Sequence, residues 1–398
     1  MSFSLDITYA LSEKIGPQGG VSRQSISPLG VEFINLHEQF VRASDEMLLP
    51  HMIPMKNKES LIQEFRKIIQ GFDGEIVFVG ERGNLSALKA HLFHLDRYHW
   101  LEDVSPETIQ HLFSIDGEIL LFVLDGPPWV RALAEEFISS VSRMIICVGD
   151  GSLHDGWQIE GAELISCSGA CDVRFAAFSP LGLALLLEEG VDYDELHATY
   201  ERARQRALKE GLYENPSYLL ASIFAALEKE RNPLRPVLML SNSTWNPWAQ
   251  WAASVWMGIT AQVLEKDGVR RRFGSEATIA SICDEGVIQQ LLSSPREQLT
   301  ILCSSQVPNL EEPSPLTARA WNVQNNLLDA FADLMSRESR PVCELRLDNT
   351  KSMALFETSF FWVHSALALA GCWVEDPLLL DGADRYRASV TKMLLANS

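Results

Sequence analysis

The residues with the clearest chemical potential lie in four polar turns, each of which follows a short apolar run. The first turn, Gly80–Ser86, carries Arg82 between glycines, and another, Gly149–Gly151, has a glycine at each end. The other two are Asp125–Pro128 and Ser241–Asn246. A cation in a glycine-rich turn can bind an anion, because backbone N–H groups at a helix start are free to donate. Arg82 is therefore a candidate anion ligand.

Two features of these turns argue against a phosphate ligand. Pro127 and Pro128 have no N–H to donate, and Asp125 adds a charge that repels phosphate. Arg82 follows Glu81 directly, and such neighbours more often form a surface ion pair than an anion site. These turns therefore offer few donors for a phosphate group.

The composition limits the classes of partner. Of 398 residues, 53 are acidic and 33 basic, giving a net charge of −20. Nucleic acid and anionic membranes both require a basic surface, so neither is expected as a partner. The start of the chain lacks a basic segment followed by an apolar one, and the richest apolar run, Leu181–Leu187, is far too short to span a bilayer. We expect a cytoplasmic protein.

The seven cysteines predict neither a metal centre nor disulfides. Cys167 and Cys171 are separated by three residues, and the other five are scattered among apolar neighbours. Metal binding needs further ligands at suitable spacing, and the sequence offers none. Buried, reduced thiols are the favoured interpretation, and no cofactor is predicted.

The elements that must position these turns alternate between strand and helix. Apolar runs that suit strands buried on both faces are separated by helical segments, which is typical of parallel α/β sheets. The predicted strands are Glu75–Gly80, Glu118–Leu124, Met144–Val148, Glu163–Ser166, Pro236–Leu240, Leu299–Cys303 and Val342–Leu347. The fold class is therefore α/β, with two doubly wound parallel-sheet domains, and ligands of such folds bind at the carboxyl ends of the strands.

Helical patterns fill the remainder and suggest the domain boundaries. The chain divides into a helical N-terminal segment (1–70), a first α/β domain (71–190), a second α/β domain (191–350) and C-terminal helices (351–398). The predicted helices are Gly30–Ala43, Lys58–Gln70, Leu85–Leu95, Trp129–Val141, Asp192–Glu210, Ser217–Lys229, Pro247–Leu264, one between the last two strands, Leu355–Trp373 and Gly382–Ala396.

Several segments, in order along the chain, resemble the phosphoglucose isomerase family, whose fold consists of two sugar-isomerase (SIS) domains. Val173–Gly182 resembles the family signature GGRFSxxSPxG, and Asn215–Tyr218 matches NPAY. Similar segments are Leu101–Thr108 (DNVDPDT), Gly190–Leu196 (GIDVEALL), Ala261–Gly268 (AESLGKDG), Cys283–Gln289 (DQHSQLQ) and Asp376–Arg387 (NPFDQPGVEAYK). Each is weak singly, but their shared order and spacing support a degenerate member of the family.

The resemblance implies a chemistry with assigned positions. In the family a histidine opens the sugar ring, a glutamate moves a proton between C1 and C2, an arginine stabilises the enediolate and a lysine assists at the ring oxygen. The positions that match these roles are Arg174, Gln262 for the glutamate, Glu285 for the histidine and Arg387 for the lysine. Only the arginine is retained.

The replacements weaken that chemistry. The amide of Gln262 cannot accept a proton near neutral pH, and Glu285 needs a raised pKa to act as an acid, so a solvated turn carboxylate is the simpler interpretation. Glu265, which would share a helix face with Gln262, is more typical of a solvated helix residue. Arg387 keeps a charge but is no substitute for an ammonium group.

The resemblance also implies where a sugar phosphate would bind. The glycine-rich turn and the phosphate loop, SxSGTT in the family, correspond here to Gly80, Arg82, Gly83, Asn84, Asp125 and Gly126. The two family glycines before the arginine are Asp172 and Val173, so the backbone loses its close approach to the sugar and Asp172 can neutralise Arg174. An Arg174 that binds substrate and one that is purely structural are equally supported.

Other chemically suggestive residues have structural interpretations. Trp248, Trp251 and Trp256 are spaced for one helical stripe and, with Trp245, favour packing over sugar stacking. His154 and Asp155 are adjacent in a turn without a nucleophile motif, and His364 lies within an apolar helix, which is typical of a core histidine.

Three hypotheses remain. The first, which we favour, is a non-catalytic homologue that binds a carbohydrate derivative or acts as a scaffold or regulator. It would be a homodimer, because family active sites form at a dimer interface, with a protein partner as a further possibility. The second is a divergent enzyme that uses Arg174, Glu265, Glu285 or Arg387 in new roles. The third is a working glucose-6-phosphate isomerase of glycolysis and gluconeogenesis whose loops are aligned wrongly.

Overall fold

A computed structural model gives the fold and describes residues 3–92, 95–103, 105–149, 157, 159–230, 234–260, 263–266, 269–272, 277–305, 315–348 and 352–372. The described residues form two compact units, one from within 1–43 and 199–379 and the other beginning at 44 and ending at 198. The domain boundaries predicted at residues 70, 190 and 350 remain predictions.

The strands follow the predicted alternation with helices. In the described part of the chain they are β1 (Phe3–Asp6), β2 (Glu75–Val79), β3 (His99–Leu101), β4 (Ile119–Leu124), β5 (Arg143–Val148), β6 (Ala162–Ser166), β7 (Arg235–Leu240), β8 (Val263–Lys266), β9 (Val269–Arg272), β10 (Thr278–Ser281), β11 (Gln298–Ser305) and β12 (Val342–Leu347).

The helices occupy the segments between the strands. They are α1 (Ser12–Ile15), α2 (Arg23–Ile26), α3 (Leu29–Asp45), α4 (Glu59–Gln70), α5 (Arg82–Lys89), α6 (Pro106–Phe113), α7 (Pro128–Phe137), α8 (Pro180–Glu188), α9 (Tyr193–Ala207), α10 (Pro216–Glu230), α11 (Asn246–Thr260), α12 (Glu285–Ser293), α13 (Pro315–Arg337) and α14 (Ser352–Gly371). The predicted helix Gly382–Ala396 lies outside the described residues.

The unit that begins at residue 44 contains a five-stranded parallel sheet in the order β3-β2-β4-β5-β6. All six residues of β4 are buried, as expected of a central strand covered on both faces. Apolar side chains of β2, β4 and β5 form a core with Val130, Ala134 and Phe137 of α7. Because all five strands are parallel, their carboxyl ends meet at one edge of the sheet, and the predicted polar turns follow there.

The other unit contains a second five-stranded sheet, in the order β1-β12-β11-β7-β10. Its strands are parallel except for β1, which pairs antiparallel with β12. Strand β1 lies in a stretch that the sequence predicts to be helical. Its four residues alternate between apolar and polar, but the run is too short to predict a strand, and its partner is at the opposite end of the described chain. With two parallel sheets separated by helices, the predicted α/β fold class is confirmed.

One predicted helix ends earlier than expected. The tryptophan-rich helix α11 ends at Thr260 instead of Leu264, and β8 follows, paired antiparallel with β9. Glu265 therefore lies in a strand, and the expectation that it sits on a helix face is wrong. A local antiparallel hairpin follows the helix where the residue pattern alone would continue it.

Helix α14 corrects the expectation that no segment is long and apolar enough for a bilayer. Its 20 residues satisfy that test by length and composition, yet every residue of the most apolar window is buried inside the protein. Among the described residues it is the one helix that passes. Burial of this kind is typical of a core helix.

Candidate functional site

Three of the four polar turns singled out in the sequence begin at the carboxyl edge of the first sheet, after β2, β4 and β5, whereas Ser241–Asn246 follows β7 in the other unit. A Cβ on Gly126, after β4, would lie 4.0 Å from Cβ of Glu81, after β2. A Cβ on Gly149, after β5, would lie 3.9 Å from Cβ of Cys171, which follows β6. The edge therefore gathers loops from four parallel strands, the usual position of a ligand site in this kind of sheet.

Arg174 lies at this edge and is engaged by its near neighbour Asp172. The Arg174 Nε and Nη2 atoms donate to Asp172 Oδ1 and Oδ2 at 3.0 and 2.6 Å. The backbone N–H of Arg174 donates to Oδ1 at 2.8 Å. The guanidinium is only 7% exposed and stacks 5.0 Å from the centre of the Phe175 ring. Asp172 thus neutralises Arg174, as the sequence suggested, and an incoming anion would have to displace a two-point contact.

Val173 fills the space next to the glycine-rich turn. A Cβ added to Gly83 would lie 2.8 Å from Cγ2 of Val173, so Gly83 is required by this contact and not by a ligand. Where the resemblance implies a second glycine that leaves room for a sugar, the valine side chain occupies that room. The partly exposed Val173 side chain therefore lies against Gly83 at this position.

The loop after β4 offers few donors. Helix α7 begins at Pro128 with Pro127 in the preceding capping position, so the first two positions that would face an anion have no N–H. The Asp125 carboxylate accepts a hydrogen bond from Trp157 Nε1 at 2.9 Å. This arrangement is unfavourable for a phosphate, because a carboxylate and two prolines stand where hydroxyls and amides are needed.

Arg82 and Asn84 behave differently from each other. Arg82 begins α5 with its side chain 82% exposed, and its Nε lies 3.2 Å from Glu102. The predicted pairing with adjacent Glu81 is thus replaced by an ion pair with a residue that follows β3. Asn84 is 1% exposed, and its Nδ2 has no hydrogen-bond partner among the described residues. A buried amide donor of this kind is a candidate contact for a polar ligand.

The described part of the chain does not bring the remaining catalytic candidates together with Arg174. Glu285 is the first residue of α12 and is exposed, while Asp284 caps the helix by accepting from Val287 N–H at 3.1 Å. Glu285 is therefore exposed to solvent, although it begins a helix and does not lie in a turn. Gln262 and Arg387 lie outside the described residues, and so do His154 and Asp155.

The cysteines at the edge are shielded thiols. Cys147 and Cys167 are buried, and Cys171 Sγ donates to the Cys147 carbonyl at 3.0 Å. Burial raises the pKa of the Cys147 and Cys171 thiols well above the usual value, so neither is a ready nucleophile or metal ligand. Cys283 departs from the expectation of burial and is exposed. Among the described residues no group of three or more His, Cys, Asp or Glu side chains could hold a metal ion.

The packing interpretations of the aromatic residues are confirmed. Trp245, Trp248, Trp251 and Trp256 are all fully buried, so none forms an open stacking surface. His364 is buried in α14 with its ring centre 4.8 Å from that of Phe40.

Three site contacts were not predicted from the sequence. Trp157 donates to Asp125, and Glu102 pairs with both Arg82 and Lys89. Glu102 lies in the Leu101–Thr108 segment. The resemblance of this segment to a family element implies that Glu102 follows a strand. Nothing in the sequence pairs it with Arg82.

Comparison with known proteins identifies the fold. No family model and no curated protein sequence matches the chain. It is similar to the crystal structure of a hypothetical protein of Thermus thermophilus, with a TM-score of 0.75 and 19% identity over 98% of this chain and 99% of that one. It is also similar to glucose-6-phosphate isomerase of Chlamydia trachomatis, with a TM-score of 0.72 and 14% identity over 85% and 73% of the two chains. The chain therefore has the glucose-6-phosphate isomerase fold, as the sequence resemblance implies.

Proposed function

We propose that this chain uses the glucose-6-phosphate isomerase fold without isomerase catalysis, as a scaffold or regulatory protein, with carbohydrate derivatives as the ligand class to test. Fold is retained more readily than activity, so the likeness does not carry the reaction with it. The function must be argued from the residues at the edge of the first sheet.

The observation that carries the proposal is the contact between Arg174 and Asp172. In an isomerase the arginine must be available to an enediolate that forms only during the reaction. Here two guanidinium nitrogens already donate to the two oxygens of a carboxylate two residues away. Since both groups are held by the same tight turn, a diffusing anion competes with a permanent local partner.

The other substitutions point in the same direction. Pro127 and Pro128 remove N–H donors from the start of α7, and Val173 packs over Gly83. Gln262 replaces the carboxylate that would move the proton, and a positioned acid or base is typically worth about 10² to 10⁴ in rate. Several independent losses make residual turnover very slow.

The test combines turnover with binding. We expect purified protein to show no interconversion of glucose 6-phosphate and fructose 6-phosphate, where an ordinary enzyme turns over at about 1 to 10³ per second. A thermal-shift titration with both sugar phosphates and with inorganic phosphate reports binding separately. Turnover in the ordinary range would overturn the proposal.

A matched variant sharpens the result. Asp172→Gly with Val173→Gly restores the two glycines that the resemblance implies, and it removes the Asp172 carboxylate from Arg174 while leaving Gln262 in place. We expect this variant to gain a thermal shift with sugar phosphate but no turnover. If it gains turnover as well, a residue other than Gln262 carries the proton. The pairing of Arg174 with Asp172 would then be sufficient to explain the loss of catalysis.

A second candidate, a binder or enzyme for a different sugar derivative, is favoured by Asn84. Its buried Nδ2 is without a hydrogen-bond partner in the described part of the chain, beside the glycine-rich turn. A neutral sugar hydroxyl would satisfy it without needing a phosphate loop. Thermal-shift screening with non-phosphorylated sugars tests this candidate, and loss of any shift in Asn84→Leu would assign the contact.

A further inference from the structure

Helix α13 presents an unusual apolar surface to solvent. Of the eleven exposed large hydrophobic residues in the described part of the chain, four lie on this one helix. They are Leu316, Val323, Leu327 and Leu334, which are 75%, 57%, 42% and 37% exposed. Single exposed apolar residues are ordinary, but a contiguous row along one helix indicates an interaction surface.

The row has the spacing of a coiled-coil seam. With the exposed Ala320 and Ala330, the six residues lie four, three, four, three and four positions apart, which is the alternation of a heptad pattern. We call these six residues, Leu316, Ala320, Val323, Leu327, Ala330 and Leu334, the α13 seam.

The seam is separate from the face that α13 packs against its own unit. Leu328, Phe331, Ala332 and Met335 are buried and belong to the core of the second sheet. At 100° per residue the centre of the buried face is about 110° from the centre of the seam. The seam is therefore not required to hold α13 on the protein.

The seam is complementary to itself when two copies run antiparallel. One register places Leu316 opposite Leu334 and Ala320 opposite Ala330, with Val323 opposite Leu327 in the middle. Each layer then occurs twice about a two-fold axis, as an isologous contact between identical chains requires. Large residues meet large ones, and the alanine layers allow the helices to approach closely.

The charges beside the seam select the same arrangement. Arg319, Asn326 and Asp333 are exposed and recur every seven residues along one flank. In the antiparallel register Arg319 of one copy faces Asp333 of the other, twice, and Asn326 faces its own equivalent. A parallel pair would bring Arg319 near Gln324 and offers no such charge match. Asp333 also pairs within the helix with Arg337 at 2.5 Å, which leaves a carboxylate oxygen for a second cation.

From this match of layers and charges we propose that α13 forms an antiparallel helix–helix contact with α13 of a second copy of the chain. The seam shares no residue with the edge of the first sheet, so the proposal does not depend on whether the protein is catalytic. One helix pair is a small interface, and we expect a dissociation constant in the micromolar range.

Sedimentation velocity of the full chain across a concentration series tests the contact. Leu327→Asp replaces one buried leucine in each copy, and so places a charge in two layers of the dimer. Burying one leucine changes an equilibrium constant by roughly 10- to 100-fold. Because two leucines are lost, we expect the variant to raise the dissociation constant by at least about 100-fold. Asn322→Asp, which adds the same charge to an exposed position off the seam, serves as the control and leaves dimerisation unchanged.

A charge swap tests the direction of the helices. Arg319→Asp and Asp333→Arg should each weaken the dimer by about 3- to 10-fold, because each places like charges opposite one another twice. The double variant restores opposite charges only in the antiparallel arrangement, so we expect it to regain most of the lost affinity. Circular dichroism confirms that the variants stay folded.

Three results would overturn the proposal. A chain that is monomeric at every concentration leaves the seam to a different protein. A dimer that Leu327→Asp does not weaken uses another surface. A dimer that is weakened by Leu327→Asp but not regained in the double charge swap contains α13 in another arrangement.

Discussion

The two compact units each hold an arginine beside a carboxylate, but the partners are related differently in the chain. In the unit with the first sheet, Arg174 is paired with Asp172, two residues away. In the other unit, Glu357 of α14 is 1% exposed and lies 3.1 Å from Arg202 and 3.6 Å from Arg206, both on α9. The first pair lies within a single turn. The second joins two helices through Arg202 and Glu357, which are 155 residues apart in the sequence.

The two pairs should therefore differ in what they affect. The Asp172 carboxylate changes which anions Arg174 can bind, and we expect it to contribute less to the stability of its unit. Glu357 is buried together with Arg206, whose guanidinium stacks 4.4 Å from the Phe3 ring and whose pKa is lowered by burial and raised again by Glu357. Removing one partner there leaves a largely buried charge without compensation.

The largest effect is therefore expected from Glu357→Gln. It keeps the shape of the side chain but removes the charge that compensates Arg206. We expect the free energy of unfolding to fall by about 2 to 3 kcal/mol, just below the range for a fully buried pair, because Arg202 is about half exposed. Urea unfolding measures it. Glu135→Gln, which breaks the exposed pair between Arg131 and Glu135, is the control and should cost about 0.3 kcal/mol. Equal losses in the two variants would show that Glu357 does not join the helices.

The next largest effect on the free energy of unfolding is expected from a fall in pH, and it involves one histidine in each unit. Burial lowers the pKa of His91 in one unit and of His364 in the other to about 3. Between that value and about 6.5 the unfolded state binds a proton that the folded state does not, so stability present above pH 6.5 is lost as the pH falls. The loss is about 1.4 kcal/mol per pH unit for each histidine, or about 2 kcal/mol each at pH 5.

Single variants assign this loss to a unit. His364→Gln and His91→Gln should each reduce the mean slope of unfolding free energy against pH between 5 and 6.5 by about 1 kcal/mol per unit, because the unfolded imidazole is only half protonated at pH 6.5. Chemical unfolding at a series of pH values measures the slope. An unchanged slope in either variant would mean that the histidine in that unit becomes protonated in the folded protein.

The same contrast between local and distant partners explains what the sequence could predict. Strand β4 and residues 144–148 of β5 are continuous apolar runs, because both faces of a central parallel strand are buried, and such runs are visible in the chain itself. Strands β1 and β3 are three or four residues long, and they exist because distant strands pair with them. Their sequences carry too little pattern to be recognised.

The candidate site divides in the same way. The neutralisation of Arg174 by Asp172 could be foreseen, since the partners are two residues apart. The pairing of Arg82 with Glu102 and the hydrogen bond from Trp157 to Asp125 depend on how strands are ordered in the sheet. No spacing rule reveals contacts of that kind.

Asp172→Asn tests the local pair with a smaller expected effect. It keeps hydrogen-bond acceptance but removes the charge, and we expect about 1 kcal/mol of stability to be lost, less than at Glu357 because Asp172 is partly exposed. Thermal unfolding measures the loss. A fall as large as that of Glu357→Gln would mean that the turn containing Arg174 supports the fold of its unit, contrary to the comparison.

The smallest effect is expected at Arg82, the exposed cation of the same edge. Its pair with Glu102 is largely in solvent, so Arg82→Ala should change the free energy of unfolding by about 0.3 kcal/mol, the same as the control Arg131→Ala. Because Arg82 is held only loosely, it can reach an anion that the buried Arg174 cannot. A thermal shift caused by inorganic phosphate in the wild-type chain, and absent in Arg82→Ala but present in Arg131→Ala, would make Arg82 the anion-binding residue at this edge. An identical response in all three proteins would leave Arg82 as a surface ion pair.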